Sequence, residues 1–165
     1  MTKMPLGQTR VVSSRATQNM DVPGFAAGCS ILTLDGAIPV EYLTPGDRVI
    51  TRDVGMAILR GVEPIEFTCD MVSIKAGTLG HTRPEHDTLL PAMQKILLRD
   101  WRAEALFGRK QVLAPAHKLV DGEFIDDAGC HTVTLFQLTF DAPHILYVDG
   151  LEMACEPQEA LRNAA

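Results

Sequence analysis

Apolar and polar positions alternate in short bursts along this chain, and most bursts end at a Gly or a Pro. Residues 22–53, VPGFAAGCSILTLDGAIPVEYLTPGDRVITRD, set the pattern. The runs at 30–34 and 48–52 are β-branched and apolar and lie between turn formers, which predicts two short strands. Asp35-Gly36 readily supplies the positive φ of a tight hairpin turn. Thr44-Pro45-Gly46-Asp47 predicts a second turn, with Pro fixing φ and Gly free to go left-handed. Between the two turns, Val40, Tyr42 and Leu43 are expected to face inward.

The same punctuation continues downstream. Ile58-Leu59 and residues 65–67, cut by Gly55, Gly61 and Pro64, predict short edge strands or a loose hairpin. Residues 71–75 alternate cleanly and predict a half-buried strand, and 80–87 read as a polar loop. The segment 88–98, TLLPAMQKILL, suits a helix begun by Pro91 as well as it suits strands, and its periodicity leaves both open. An acidic start and a terminal Gly predict a short helix over 100–108. Residues 111–113 read as a strand, 115–120 as one helical turn and Asp121-Gly122 as another tight turn. The strongest strand signal is HTVTLFQLTF at 131–140. Residues 144–148 are expected to pair with it across an Asp141-Ala142-Pro143 turn. Many short strands joined at Gly and Pro define a mainly β domain.

Composition narrows the function classes. A chain of 165 residues suits one domain with a real core. With 46% hydrophobic and 22% charged residues, it falls outside the disordered class, and no apolar run approaches the length of a bilayer. Net charge is -6 and the basic residues are scattered, which argues against a nucleic-acid partner, and nothing points to a membrane one. Cys29, Cys69, Cys130 and Cys155 lie far apart without a CxxC pair and are expected to be reduced thiols. Residues 1–21 read as a flexible polar arm without the apolar run of a secretory signal, and 157–165 as a polar tail. A cytoplasmic location is the default expectation.

One ordered set of words goes further. VPxF, the DG turn, PVExLxPGDRVxTRD, VSIKAGTLG, WRAEALFG, VLAPAHKLVDG and HILYVDGL follow one another at compatible spacings across about 22–156. In that order the chain resembles the bacterial hedgehog/intein (Hint) domain family. The resemblance implies a flat, horseshoe-like fold of short, mostly antiparallel strands with a few helical turns. It also implies an ancestry in autocatalytic peptide-bond cleavage. Active members open on a Cys or Ser whose side chain attacks the preceding carbonyl, giving a thioester or ester. A mid-domain His then protonates the departing amide nitrogen, which otherwise leaves poorly.

The resemblance fails at the positions that carry this chemistry. The family opening V-P-C-F corresponds to Val22-Pro23-Gly24-Phe25, so Gly24 stands where the nucleophile would be. The family segment resembling D-L-L-V-S-P-Q-H-R-V-L-L corresponds to residues 87–98, which puts Pro91 at the Ser/Thr position and Gln94 at the histidine. A late-strand family histidine corresponds to Gln137. Only His144 matches a family histidine. Glutamine donates a hydrogen bond but does not transfer a proton near neutral pH. The expectation is a degenerate member that has lost self-processing.

Other chemistry-bearing residues have plainer readings. Cys29, five residues after Gly24, is either a displaced nucleophile or a strand thiol packed in the core, and the second carries more weight. His144 is either a surviving acid/base or a strand-start residue bonded to backbone, again with more weight on the second. His81, Glu85, His86 and Asp87 have metal-ligand types, but no second ligand-rich segment supports a site, so neither metal nor cofactor is expected. His117 and His131 read as surface residues, and Asp47 and Asp53 as turn stabilisers. Two functions remain: a binding or accessory module for a peptide or protein partner, or residual self-cleavage near Gly24 or Cys29 assisted by His144.

Overall fold

The structure, a computed structural model, describes residues 10–13, 24–80 and 83–156. In chain order its strands are β1 (Arg10–Ser13), β2 (Phe25–Ala26), β3 (Ser30–Thr33), β4 (Gly36–Pro39), β5 (Arg48–Thr51), β6 (Gly55–Ile58), β7 (Gly61–Ile74), β8 (Thr88–Pro91), β9 (Lys95–Leu98), β10 (Val112–Pro115), β11 (Ile125–Thr139), β12 (His144–Val148) and β13 (Leu151–Cys155). One α-helix, α1 (Trp101–Phe107), lies between β9 and β10.

The strands form two sheets that do not close into a barrel. The smaller runs β1-β7-β11-β2, with β8 also on β7; the larger runs β10-β9-β13-β12-β3-β5-β6, with β4 on β3. All pairings are antiparallel except β1 with β7, which is parallel. One core joins the sheets, because Ile31, Val49 and Leu146 of the larger and Ile74 and Ile125 of the smaller are fully buried in a single cluster. A satellite cluster of Ile65, Phe67, Cys69, Met71 and Leu135 sits on the β7–β11 pair.

Local chemistry accounts for most of the elements. The β3–β4 hairpin turns at Leu34-Asp35, with Thr33 opposite Gly36 at φ 102°. The Thr33 hydroxyl locks it by donating to Gly36 O at 2.8 Å while accepting the Asp35 N–H. At the second turn, the Asp47 carboxylate accepts the Thr44 N–H at 2.8 Å and the Thr44 hydroxyl at 3.2 Å. Helix α1 starts at Asp100, which accepts the Arg102 N–H, and ends at left-handed Gly108.

Several expectations are corrected. Residues 40–42 form a turn of 3-10 helix, so Val40 and Leu43 are buried three positions apart while Tyr42 points outward, 50% exposed. Residues 88–98 resolve into β8 and β9 rather than a helix. β7 runs unbroken through Pro64, where separate short strands were expected. Pro64 faces Phe136 of β11, and β1 pairs on the other side only from Ile65 onward, so no ladder bond asks for the missing N–H. The two longest strands, β7 and β11, thus depart from a fold of short strands only. β12 is not the partner of β11: the 141–143 connection carries the chain into the other sheet, where β12 pairs with β13, β3 and β5. In the arm at 1–21, Arg10–Ser13 is strand β1; the rest of that arm and the tail 157–165 lie outside the described residues, as does His81.

Candidate functional site

Gly24 is where the fold is tightest. β2 pairs with β11 through Phe25 opposite Phe136 and Ala26 opposite Leu135, which lays Gly24 against the β11 main chain. A Cβ built on Gly24 would stand 2.3 Å from Phe136 O, 2.5 Å from its carbonyl carbon and 2.8 Å from Gln137 N. Glycine is required here by close approach rather than by φ, and no side chain fits without moving backbone.

Beside it, Phe25, Cys29, Pro91, Gln94, Asp149 and Met153 line a cleft with little more room than a water needs. Gln94 is 5% exposed, held by a turn in which its N–H donates to Pro91 O. Its side-chain Nε2 donates to Lys95 O and Ala154 O, both at 3.1 Å. Both amide hydrogens therefore end on main-chain carbonyls. Gln137 is buried as well, and its main chain forms part of the wall against Gly24. The fold thus gathers Gly24, Pro91, Gln94 and Gln137 in one region.

Cys29 also lines this cleft, and its thiol is pushed well above the usual range by burial and by the negative charges of Asp149 and Glu41. Cys29 is next to Ser30, which exchanges hydrogen bonds with Asp149: Ser30 N–H to Asp149 Oδ1, and Asp149 N–H to Ser30 O, both at 3.0 Å. His144 does not line the cleft: it begins β12, at the opposite end of that strand from Asp149, one residue from the Ile145–Ala154 pair whose Ala154 O holds Gln94.

His144 has its own partners. Its Nδ1 lies 2.8 Å from Asp53 Oδ2, while Asp53 Oδ1 accepts the Ile145 N–H at 3.0 Å. Partial burial pushes the Asp53 carboxyl up, but the Ile145 N–H and the His144 bond outweigh it and hold the group below the ordinary carboxylate range. Asp53, expected to stabilise a turn, instead bridges the end of β5 to the start of β12. The Phe140 ring packs edge-on against the imidazole at 5.6 Å between centroids. Opposite His144 on β13 is Cys155, whose thiol is driven up to about 12 by burial and then by Glu156.

Other candidates are dispersed. His117 and His131 are exposed, and His131 Nε2 meets Ala128 O at 2.7 Å. His86 lies 3.4 Å from Asp149 Oδ1. All four cysteines are unpaired, and no cluster of metal-ligand types occurs among the described residues. No described helix is long and apolar enough to cross a membrane. The sequence reading missed Glu152 of β13, 2% exposed, on which Arg52, Arg83 and Arg99 converge. Those arginines are among the basic residues that look scattered in the sequence.

Two open, mostly antiparallel sheets that bring the start of β2, the turn after β8 and the middle of β11 together define an intein-like all-β fold. The solution structure of a bacterial intein-like domain from Clostridium thermocellum is similar, with a TM-score of 0.53 at 15% identity over 82% of this chain and 99% of that one. The MchDnaB-1 intein (N145AA) is similar at a TM-score of 0.51 and 10% identity over 81% and 99%. The Hint domain family profile matches residues 23–156, and the chain belongs to the Hint domain family. No significant match occurs among curated proteins.

Proposed function

We propose that this Hint domain no longer cleaves or splices its own backbone and serves as a binding or accessory module for a peptide or protein. The observation that carries the reading is the contact at Gly24, where the position that should hold a nucleophile has no space for a Cβ. Gln94 supports it, since a buried amide committed to two carbonyls has neither proton nor freedom to assist a leaving group. The outer edge of β6, at the end of the larger sheet, offers a place for strand addition by a partner. A cytoplasmic setting belongs to the same reading and is supported by four unpaired cysteines.

The second reading, residual cleavage near Gly24 or Cys29, is favoured by one feature, the His144–Asp53 pair, which has the form of a base held by an orienting carboxylate. Its place at the other end of β12 from Cys29 and the suppressed Cys29 thiolate weigh against it. The test is the chain carrying a long N-terminal extension, followed by intact mass under denaturing conditions with and without added thiol or hydroxylamine. An uncut fusion after long incubation is expected. Release that Cys29→Ser or His144→Ala abolishes would overturn the proposal.

A further inference from the structure

Arg52, Arg83 and Arg99 come from three separate parts of the chain: the end of β5, the loop between β7 and β8, and the end of β9. They meet at Glu152. Arg52 Nε lies 3.3 Å from Oε2 and Arg83 Nη2 3.5 Å from Oε1, while Arg99 Nη2 donates to Oε1. The carboxylate is sealed at 2% exposure, but the three arginine side chains keep 33%, 23% and 38% of theirs. The cluster therefore has a buried negative floor and a positive outer surface.

Three guanidiniums against one carboxylate leave a formal excess of two positive charges. Of the nearby acids, Asp100 is paired by Arg102, while Asp53 and Asp149 are held by His144, His86 and main-chain N–H groups, which bond a carboxylate without cancelling its charge, so the excess belongs to the four-residue cluster itself. Donors are in excess too, since each guanidinium carries five N–H groups. Among the described residues these side chains donate two hydrogen bonds, Arg83 Nε to Gly150 O at 3.2 Å and Arg99 Nη2 to Glu152. Glu152 Oε2 is buried without a hydrogen bond. Holding three like charges together opposes folding unless something of opposite charge joins them.

We propose that this cluster is an oxyanion site for a doubly charged phosphate, free or as a monoester. Three guanidiniums with N–H donors to spare suit an anion that can accept from several of them at once. A tetrahedral phosphate also offers oxygens to three guanidinium forks at once, where a carboxylate offers only two. None of the four residues lines the cleft beside Gly24, so the site is independent of whether the domain cleaves itself. The competing account is a structural clamp in which the arginines tie three segments to β13, and a clamp does not respond to anions.

Calorimetric titration and thermal unfolding of the full chain separate the two. The probes are inorganic phosphate, phenyl phosphate and acetate at constant ionic strength in chloride, above about pH 7, where phosphate monoesters are doubly charged. Saturable binding of phosphate with a rise in Tm is expected, with acetate at least about tenfold weaker, a margin of the size set by one charge-assisted pair. Equal or tighter binding of phenyl phosphate marks a monoester site, and binding of inorganic phosphate alone marks a site for the free ion. Arg99→Gln is expected to weaken binding about tenfold and Arg60→Gln, in an exposed pair with Asp141, to leave it unchanged. If Arg99→Gln does not fold, Arg52→Lys keeps the charge, loses the fork and is expected to weaken binding several-fold. No saturable phosphate response in the native chain, acetate binding as tightly, or an undiminished response in a folded Arg99→Gln or Arg52→Lys would overturn the proposal.

Discussion

Around Gly24, Gln94 and Gln137 the cleft holds one carboxylate, Asp149, bonded by the Ser30 N–H, and the Gln94 amide hydrogens end on carbonyls of the same chain. Around Glu152, three guanidiniums share one carboxylate and an acceptor atom is left without a hydrogen bond. The first region has satisfied its polar groups internally, as buried sites in folded proteins generally do. The second leaves guanidinium donors in excess at a partly exposed surface, where they can meet what is dissolved around them. In this Hint domain the cleft beside Gly24 and the arginine cluster on Glu152 share no lining residue.

That contrast breaks most visibly at Glu152. Glu152→Ala leaves three guanidiniums facing one another and is expected to cost about 3 kcal/mol in chemical denaturation. This is the low end for a buried pair, because the arginines keep partial contact with water. Gly24→Ala tests the cleft side. Its methyl meets the Phe136 carbonyl rather than a side chain that can swing away, so a loss of about 2 kcal/mol is expected from the same measurement. A neutral result would mean that β2 yields easily and that the position is open to a side chain after all.

The smallest effect belongs to the Asp53–His144 pair at the edge of both regions. The Asp53 carboxyl is held below its ordinary range, so its contribution is full above the unfolded value near pH 4 and is lost as pH falls through the lower folded value. Asp53→Asn is expected to cost under about 1 kcal/mol at neutral pH, and the two stability curves are expected to converge in acid. A gap that persists below the folded value would assign the pair a packing role instead.

The turns were readable because their chemistry is local. Asp35-Gly36, Thr44 to Asp47 and the Asp100 cap each complete their bonds within a few residues. Gly24, Gln94 and Gln137 were set against the family pattern by the words on either side of them, and the fold brings them near one another. Strand partners were not readable where they depend on distant segments: nothing in residues 141–148 says that β12 leaves β11 for the other sheet. Pro64 looked like a break because a proline's tolerance depends on which edge lies open. The arginine cluster was invisible for the same reason, its members being brought together only by the ends of β5 and β9 and the loop after β7.

The parallel ladder between β1 and β7 bears on what scission ahead of Gly24 would accomplish. Arg10 to Ser13, eleven to fourteen positions before Gly24, pair with Ile65 to Thr68, and those main-chain bonds do not depend on the covalent link between the two segments. A break at that link would leave the leading fragment docked on the sheet as a noncovalent subunit. In this fold, cutting and letting go are separate events, and a native gel or gel-filtration profile would report an intact species even after the peptide bond was gone.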